Sequence, residues 1–158
     1  MREKKYIEHS QTEQTHLLRY EDINGEGRLF GGKLIAWVDE VAGITAKRHS
    51  GMKVTTASID NLQFKNPAFL DELVIVSGRI TYVGTTSMEV RVDSYVETLD
   101  GSRHAINRAY LTVVALNQEN KPAAIPYDIF LETEAQKAEW ENARKRIELR
   151  KARRAEGF

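Results

Sequence analysis

A single helix-patterned segment followed by a series of strand-patterned segments constrains this fold more than any other feature. Apolar residues recur at helical spacing over residues 31–49 and fall on one stripe: Leu34, Trp37, Val38, Val41 and Ile44. A first strand is predicted at 16–22, and four more follow the helix, at 54–65, 72–83, 86–98 and 104–117. We therefore expect an α+β fold in which one early helix packs on an antiparallel meander.

The ends of these segments carry recognisable signals. Gly51 is a plausible C-cap of the helix, and Asp100-Gly101 is typical of a hairpin turn. The third strand after the helix alternates apolar and polar residues, which predicts one buried and one wet face. Residues 1–14 are polar and are predicted to be flexible, residues 15–130 to form the folded domain, and residues 131–158 to form a charged helix.

Composition excludes several classes of protein. The chain has 158 residues, enough for one domain with a core, and its 23 Lys+Arg balance its 23 Asp+Glu. It has no cysteine, so neither a thiol nucleophile nor a cysteine metal site is available. The polar N-terminus does not resemble a signal peptide, and no apolar run approaches the ~20 residues that span a bilayer. We expect a cytoplasmic protein that binds neither membrane nor nucleic acid.

Metal and serine chemistry have no support in the sequence. The four histidines show no metal-ligand spacing such as H-E-x-x-H, so no metal site is predicted. There is no G-x-S-x-G motif of the kind that carries the nucleophile of serine hydrolases.

Asp39 is the acid that the helical pattern singles out. On a helical wheel it lies off the solvated stripe of Lys33, Glu40 and Lys47, among small neighbours such as Ala36 and Gly43. Small residues let a ligand or another backbone come close, and a carboxylate desolvated in this way is a better base at neutral pH. The alternative is that Asp39 only caps a backbone or pairs with an arginine across an interface.

Glycines and one asparagine precede the same helix. The N–H groups of Gly31 and Gly32 would lie at the helix N-terminus, where the partial positive charge suits an oxyanion. Asn24 could orient a water or a carbonyl. The alternatives are a plain tight turn for the glycine pair and a turn residue for Asn24.

Taken together, these residues resemble a known family. NGEGRLFGGKLIAWVDE resembles the N-x-x-G-x-x-(F/H)-G-G-x-x-x-x-x-x-(D/E) signature of hotdog-fold acyl-CoA thioesterases, in the branch of broad-specificity cytosolic acyl-CoA hydrolases. VTTASIDNLQFKNPAFLDELV, ITYVGTTSMEV and AYLTVVALNQENKPAAIP are similar to later motifs of that family. The resemblance covers about residues 15–127 and implies a hotdog fold, an antiparallel sheet wrapped around one long helix.

The resemblance also implies roles for particular residues. Asp39 takes the acidic position, as general base or nucleophile; Asn24 orients water or thioester; and Gly31 and Gly32 supply the oxyanion N–H groups. Two segments match positions that line the CoA groove: Ala57, Ser58 and Ile59, and Thr86, Ser87 and Met88. A basic residue among Arg144, Lys145 and Arg146 would meet a CoA phosphate. No separate cofactor is implied, since CoA arrives as part of the substrate.

Two departures from the family pattern affect ligand preference. Thr85 stands where an arginine is common, which removes one candidate phosphate contact, and Tyr110 replaces the usual phenylalanine of the last strand. The charged C-terminal helix has its own alternative interpretation as an ordinary solvated face, because glutamates interleave with its cations.

The resemblance predicts an enzyme that hydrolyses acyl-CoA to a carboxylic acid and CoA. It also implies a homo-oligomer, at least a dimer and by family a trimer of dimers, in which Asn24 and Asp39 of one site can come from different subunits. The apolar sheet surface that one helix leaves uncovered independently favours self-association. Two alternatives stay open: a non-catalytic acyl-CoA sensor, and a hydratase or dehydratase of the same fold. The second is weaker, because Ile44 follows Asp39 where a histidine is wanted.

Overall fold

The computed structural model describes all of residues 1–158 and contains two helices and seven strands. The elements in chain order are β1 (Glu3–Tyr6), β2 (Thr12–Leu17), α1 (Gly31–Ser50), β3 (Lys53–Phe64), β4 (Leu73–Val83), β5 (Ser87–Glu97), β6 (Arg103–Leu116), β7 (Tyr127–Phe130) and α2 (Glu134–Glu156). Short 3-10 turns lie at Ile7–His9 and Tyr20–Asp22. The predicted boundaries of α1 and of the four strands after it are confirmed to within two residues.

The long helix α1 forms the centre of the fold and packs on all five strands of the main sheet. Its predicted C-cap is confirmed: Gly51 is left-handed, with φ 69°, and its N–H donates to the Lys47 carbonyl at 2.8 Å. Helix and sheet approach closely at Gly78 of β4, where a Cβ atom would lie 2.8 Å from Val41 Cγ1. Burial of the α1 stripe against the sheet supplies most of the apolar core.

The main sheet has the order β2-β4-β5-β6-β3 and is antiparallel throughout. The predicted wrapping of an antiparallel sheet around one long helix is confirmed. The predicted simple meander is right only for β4, β5 and β6. Because α1 crosses the whole sheet, the chain leaves at the β2 edge and re-enters at the opposite edge, so β3 pairs with β6 instead of with β4.

The prediction for the N-terminal segment was wrong. Residues 3–6 pair in parallel with β7, and Ile7, Ser10 and Thr12 are buried. The next strand spans 12–17 instead of the predicted 16–22, because Tyr20–Asp22 form a tight turn in which Asp22 Oδ2 accepts the Arg19 N–H at 3.0 Å. The β1–β7 pairing joins segments more than 120 residues apart, so no local pattern announces it.

The polar face of β5 is not wet, which corrects a second prediction. Glu89 and Asp93 are only 3% and 5% exposed, because α2 lies across this outer face of the sheet. Arg146 of α2 pairs with Glu89 at 2.7 Å, and Arg91 of β5 pairs with Glu139 of α2 at 2.6 Å. A strictly alternating strand can therefore be buried on both sides when a charged helix supplies matched ions.

The structure contains no helix with the length and apolarity required to cross a bilayer.

Candidate functional site

The loop before α1 is organised by Asn24. Its Oδ1 accepts the N–H groups of Glu26, at 3.0 Å, and Arg28, at 3.1 Å, while its own N–H donates to the Arg28 carbonyl at 2.7 Å. These contacts give Asn24 the turn role that the sequence left as an alternative. They also fix the orientation of the amide, because the oxygen is held by two backbone donors and Nδ2 remains as a free donor.

The two glycines open α1 as predicted. Phe30 precedes the helix without a side-chain cap, and the first N–H groups to bond are those of Lys33 and Leu34, both to the Phe30 carbonyl. The N–H groups of Gly31 and Gly32 therefore have no acceptor within the chain, as expected for the first helical turn. A Cβ atom on Gly32 would lie 2.6 Å from the Phe30 ring, so any side chain here must displace that ring.

Asn24 and Gly31 line one cleft of about 290 Å³. Its walls are the loop before α1, the first turn of α1 and the segment after β3; the remaining lining residues are Arg28, Leu29, Leu34, Phe64, Lys65, Asn66, Pro67, Ala68 and Ile106. The structure thus brings the predicted orienting amide and one predicted oxyanion donor together.

Asp39 lies elsewhere, two turns further along α1. It faces β3, where Thr56 Oγ1 donates a hydrogen bond of 2.5 Å to Asp39 Oδ1. The small-residue face is only partly as predicted: Gly43 lines the same cleft as Asp39, whereas Ala42 and Ala46 are buried in the core. Asp39 itself is exposed in the single chain, so the predicted desolvation is absent unless something covers this surface.

Asn24 and Asp39 do not share a cleft within one chain. Asp39 follows Gly31 by eight residues, which places it about 12 Å along the helix axis at 1.5 Å per residue. A proton acceptor and an oxyanion donor that act on one reacting carbon must both lie within hydrogen-bond reach of its substituents. The predicted residues therefore fall into two separate groups on each chain, here called half-sites, and neither group contains the full predicted set.

The two predicted groove segments lie on the same sheet, on either side of β6. Thr56, Val113 and Met88 form one row across β3, β6 and β5. Ala57 is exposed, Ser58, Ile59, Thr86 and Ser87 are half-buried, and Met88 is 1% exposed. The Met88 side chain points into the core under α1, so it cannot line a groove with its side chain, in contrast to the prediction.

The three predicted phosphate ligands on α2 differ in availability. Arg144 and Lys145 are exposed, with Arg144 placed 3.7 Å from Glu141. Arg146 is already engaged: it contacts Glu89 and Glu139 and lies 3.7 Å above the Tyr110 ring. Burial opposes the charge on Arg146, but the hydrogen bonds to Glu89 and the negative charges of Glu89 and Glu139 together outweigh it and hold the pKa of Arg146 above its usual range.

The histidines lie outside both of these clefts. No group of three His, Cys, Asp or Glu side chains could hold a metal ion, and no histidine lines the cleft of Asp39, where Ile44 lies instead. His49 is fully buried; burial, reinforced by nearby Lys5 and Arg2, lowers the pKa of His49 although its ring contacts the Tyr127 carbonyl.

Sequence reasoning missed Thr56. It stands directly before the Ala57-Ser58-Ile59 segment, inside the VTTASID motif, and only the register of β3 against α1 reveals its contact with Asp39. The available signal for Thr56 was its position: it is a hydroxyl residue directly next to a segment that the family resemblance already placed in the CoA groove.

A family model described as the thioesterase superfamily matches residues 26–100 of the chain. Among curated proteins, the uncharacterized acyl-CoA thioester hydrolase YkhA of Bacillus subtilis is 40% identical over 66% of this chain and 62% of its own length. The cytosolic acyl coenzyme A thioester hydrolase of Rattus norvegicus is 34% identical over 94% of this chain. The chain spans only 39% of that rat protein.

Solved structures match over nearly the whole chain. A hexameric acyl-CoA thioesterase in its apo form is 38% identical, with a TM-score of 0.92 over 97% of this chain and 98% of its own. The acyl-CoA hydrolase of Staphylococcus aureus, solved with butyryl coenzyme A, coenzyme A and coenzyme A disulfide, is 35% identical, with a TM-score of 0.90 over 96% of this chain and 93% of its own.

Alanine variants of the Staphylococcus aureus hydrolase have also been solved, one each at an aspartate, an asparagine and a threonine. In the present chain Asn24 precedes Asp39 by 15 residues, and Asp39 precedes Thr56 by 17. The asparagine, aspartate and threonine substituted in the relative are separated by the same two intervals.

Proposed function

Because the chain belongs to the thioesterase superfamily and has its hotdog fold, we propose that it hydrolyses acyl-CoA thioesters to a free carboxylic acid and CoA. The names of the relatives and the CoA complexes of the Staphylococcus aureus hydrolase support this activity. Since the chain spans less than two thirds of the first curated relatives, the proposal concerns this chain alone.

One observation carries the proposal: the residues Asn24, Asp39 and Thr56 recur with the spacing of the positions substituted in a solved acyl-CoA hydrolase. Two of them are in contact here, through the hydrogen bond from Thr56 to Asp39. The bond occupies Oδ1 of Asp39 and leaves Oδ2 for a second partner. Thr56 thus holds the Asp39 carboxylate in one orientation and leaves one of its oxygens to take part in the reaction.

In the proposed reaction Asp39 accepts a proton from water as the water oxygen adds to the thioester carbonyl carbon. The carbonyl electron pair moves onto oxygen, and the resulting oxyanion accepts hydrogen bonds from the N–H groups of Gly31 and Gly32. Collapse breaks the C–S bond, and the CoA sulfur takes the proton held by Asp39. In the alternative version, an Asp39 oxygen attacks the carbonyl carbon itself, the C–S bond breaks and releases the CoA thiolate, and water then hydrolyses the resulting mixed anhydride to the carboxylic acid and free Asp39; the thiolate takes up the proton that this hydrolysis releases.

The two half-sites act together if one subunit supplies Asn24 and the glycines while another supplies Asp39 and Thr56. Their separation along α1 supports this arrangement, as does the exposed position of Asp39. The unpaired outer edge of β3 lies beside Thr56 and is available for a second copy of the chain. A homodimer is the smallest assembly that completes the site, and the hexameric relative supports a trimer of dimers.

The remaining parts of the proposal concern ligand contacts and location. The CoA arm follows the surface formed by Ala57, Ser58 and Ile59 on β3 and by Thr86 and Ser87 at the start of β5. Arg144 and Lys145 remain candidates for a CoA phosphate. A cytoplasmic location is proposed in line with the cytosolic name of the rat relative, and no metal or separate cofactor is involved.

Thiol release from a panel of short to long acyl-CoAs tests the activity. Asp39→Asn is expected to lower kcat by roughly 10²–10⁴, the usual contribution of a general base. The matched control is Glu3→Gln, which removes an exposed carboxylate on β1 far from either half-site. Wild-type turnover that survives Asp39→Asn would refute the catalytic assignment. Acyl-CoA binding without any turnover would favour the sensor, and hydration of an enoyl-CoA would favour the hydratase.

Single turnover in ¹⁸O-labelled water distinguishes the two roles of Asp39. Label recovered in the Asp39 carboxylate indicates direct attack, since hydrolysis of the anhydride can return one water oxygen to the enzyme. Label confined to the product acid, with no acyl-enzyme detected in the intact protein by mass spectrometry after rapid quenching, indicates the water route.

A further inference from the structure

The cleft of Asn24 and Gly31 holds two cations for which the proposed reaction has no use. Arg28 lies in the loop before α1 and Lys65 directly follows β3, and both line the cleft. Neither side chain makes an ion pair or a hydrogen bond within the chain. Most other arginines are paired, for example Arg91 with Asp93 and Arg150 with Asp60.

The lining of this cleft contains no carboxylate. Four other clefts on the surface are each lined by at least two Asp or Glu side chains. The two lining amides present opposite ends: Asn24 turns its oxygen toward backbone N–H groups and leaves Nδ2 as a free donor, whereas Asn66 donates Nδ2 to the Ala105 carbonyl and leaves its oxygen as an acceptor. The cleft therefore offers more positive charge and more donors than a single developing oxyanion requires.

The cleft also has an apolar, buried part. Leu34, Ala68 and Ile106 at its base are only 2–3% exposed. A ligand that fits has a short apolar part against this base and an anionic group at the rim, because an uncompensated anion would not be stable deeper in. Guanidinium and ammonium groups both bind carboxylates and phosphates through charge-assisted hydrogen bonds.

We propose that Arg28 and Lys65 bind a second oxyanion group carried by the substrate itself, in addition to the thioester oxygen. The group is either the terminal carboxylate of a dicarboxylic acyl chain or a phosphate of CoA, and the two share the same recognition chemistry. This inference rests on the proposed thioesterase function and adds the substrate's charge to it. It also assigns anion recognition to the loop before α1 instead of to Arg146, which is held by Glu89.

The test compares three substrates with the Arg28→Ala/Lys65→Ala double variant. Butyryl-CoA and succinyl-CoA have the same number of acyl carbons and differ in the terminal carboxylate, and S-butyryl-pantetheine has no phosphate. The matched control is Lys4→Ala/Arg154→Ala, which removes one exposed, unpaired lysine and one such arginine from β1 and α2. We expect the control to keep wild-type kcat/KM on all three substrates.

The pattern of loss identifies the anion. If the cations bind the acyl carboxylate, the double variant loses about tenfold or more in kcat/KM on succinyl-CoA relative to butyryl-CoA. If they bind a phosphate, both CoA substrates lose equally and S-butyryl-pantetheine is unaffected. A double variant that matches the control, or that loses as much on S-butyryl-pantetheine as on the CoA substrates, overturns the inference.

Failure of the proposed function would be visible separately. If the wild type turns over none of the three compounds, the proposed function fails, and the same comparison is made with dissociation constants of all three compounds from calorimetry. The expected tenfold loss and the contradicting outcomes are unchanged in that measurement.

Discussion

Complementation between two inactive variants tests whether one catalytic site is built from two chains. Asn24→Ala damages the half-site at the start of α1, and Asp39→Ala damages the half-site facing β3. Within one chain the two positions line different clefts, and Asp39 lies about 12 Å along the helix axis from Gly31. A hydrogen bond spans about 3 Å, so the two groups of one chain cannot both reach one thioester.

The expected recovery follows from counting sites in a two-fold symmetric dimer. A mixed dimer has one site with both lesions and one site with none, because each site takes one half from each chain. Random assembly of equal amounts makes half of the dimers mixed, so activity per subunit should return to about a quarter of the wild-type value. The same fraction holds for a hexamer built from three such dimers.

The assay uses co-expression of the two variants with different affinity tags and thiol release from butyryl-CoA. The matched control mixes Asp39→Ala with Thr56→Val, two lesions in the same half-site, which leaves no intact site in any mixed dimer. Sites shared between two chains are supported if activity recovers in the first mixture and stays at the average of the two parent variants in the control mixture. If the first mixture stays at the average of its inactive parents, the two-chain site is wrong.

Three further predictions concern positioning, packing and pH. Thr56→Val should lower kcat roughly 10- to 100-fold, because the charge-assisted hydrogen bond to Asp39 is worth about 1.5–3 kcal/mol. Thr56→Ser keeps the hydroxyl and should retain most of the activity. An unchanged kcat of Thr56→Val in steady-state kinetics would contradict the positioning role of Thr56. Arg146→Met should lower the free energy of unfolding, measured in urea, by about 3–5 kcal/mol, because Glu89 is left buried without its ion-pair partner. Adding Glu89→Gln should restore part of that loss. A cost under ~1 kcal/mol would exclude a structural role for the pair. The pKa of His49 lies below 6.5 in the folded state because of burial. The unfolded chain therefore takes up more protons, and the free energy of unfolding should fall as the pH drops below 6.5. Urea titrations at several pH values should show a shallower fall for His49→Gln than for the wild type, and identical slopes would refute the assignment.

The outer layer of the molecule changes the interpretation of its C-terminal cations. Arg146, Arg150 and Arg153 form ion pairs with acids of the sheet, at 2.7, 3.1 and 2.8 Å. The predicted phosphate clamp and the alternative of a solvated face are therefore both incomplete descriptions of α2. Much of its positive charge serves to cover a polar sheet face, and only the exposed remainder is available to a ligand.

Local patterns in the sequence determined the secondary structure well where hydrophobic period and turn residues agree. The stripe through Leu34 and Val41 defined α1, Gly51 ended it, strand-like runs bounded by turn residues defined β3 to β6, and alternation was clearest in β5. These signals depend on neighbouring residues, so one sequence is sufficient to read them. The glycine pair and Asn24 were likewise placed at the start of α1 because helix termini have local requirements.

Tertiary structure alone decided which distant residues meet. The pairing of β1 with β7, the position of β3 at the far edge, and the contact of Thr56 with Asp39 all join segments whose register no local period specifies. The same holds for Glu89, which alternation placed in solvent and the ions of α2 bury. The sequence by itself determined α1, the strands from β3 to β6 and the candidate residues Asn24, Gly31 and Asp39. Packing placed those candidates in two separate clefts, because contacts between distant segments depend on how all the elements assemble.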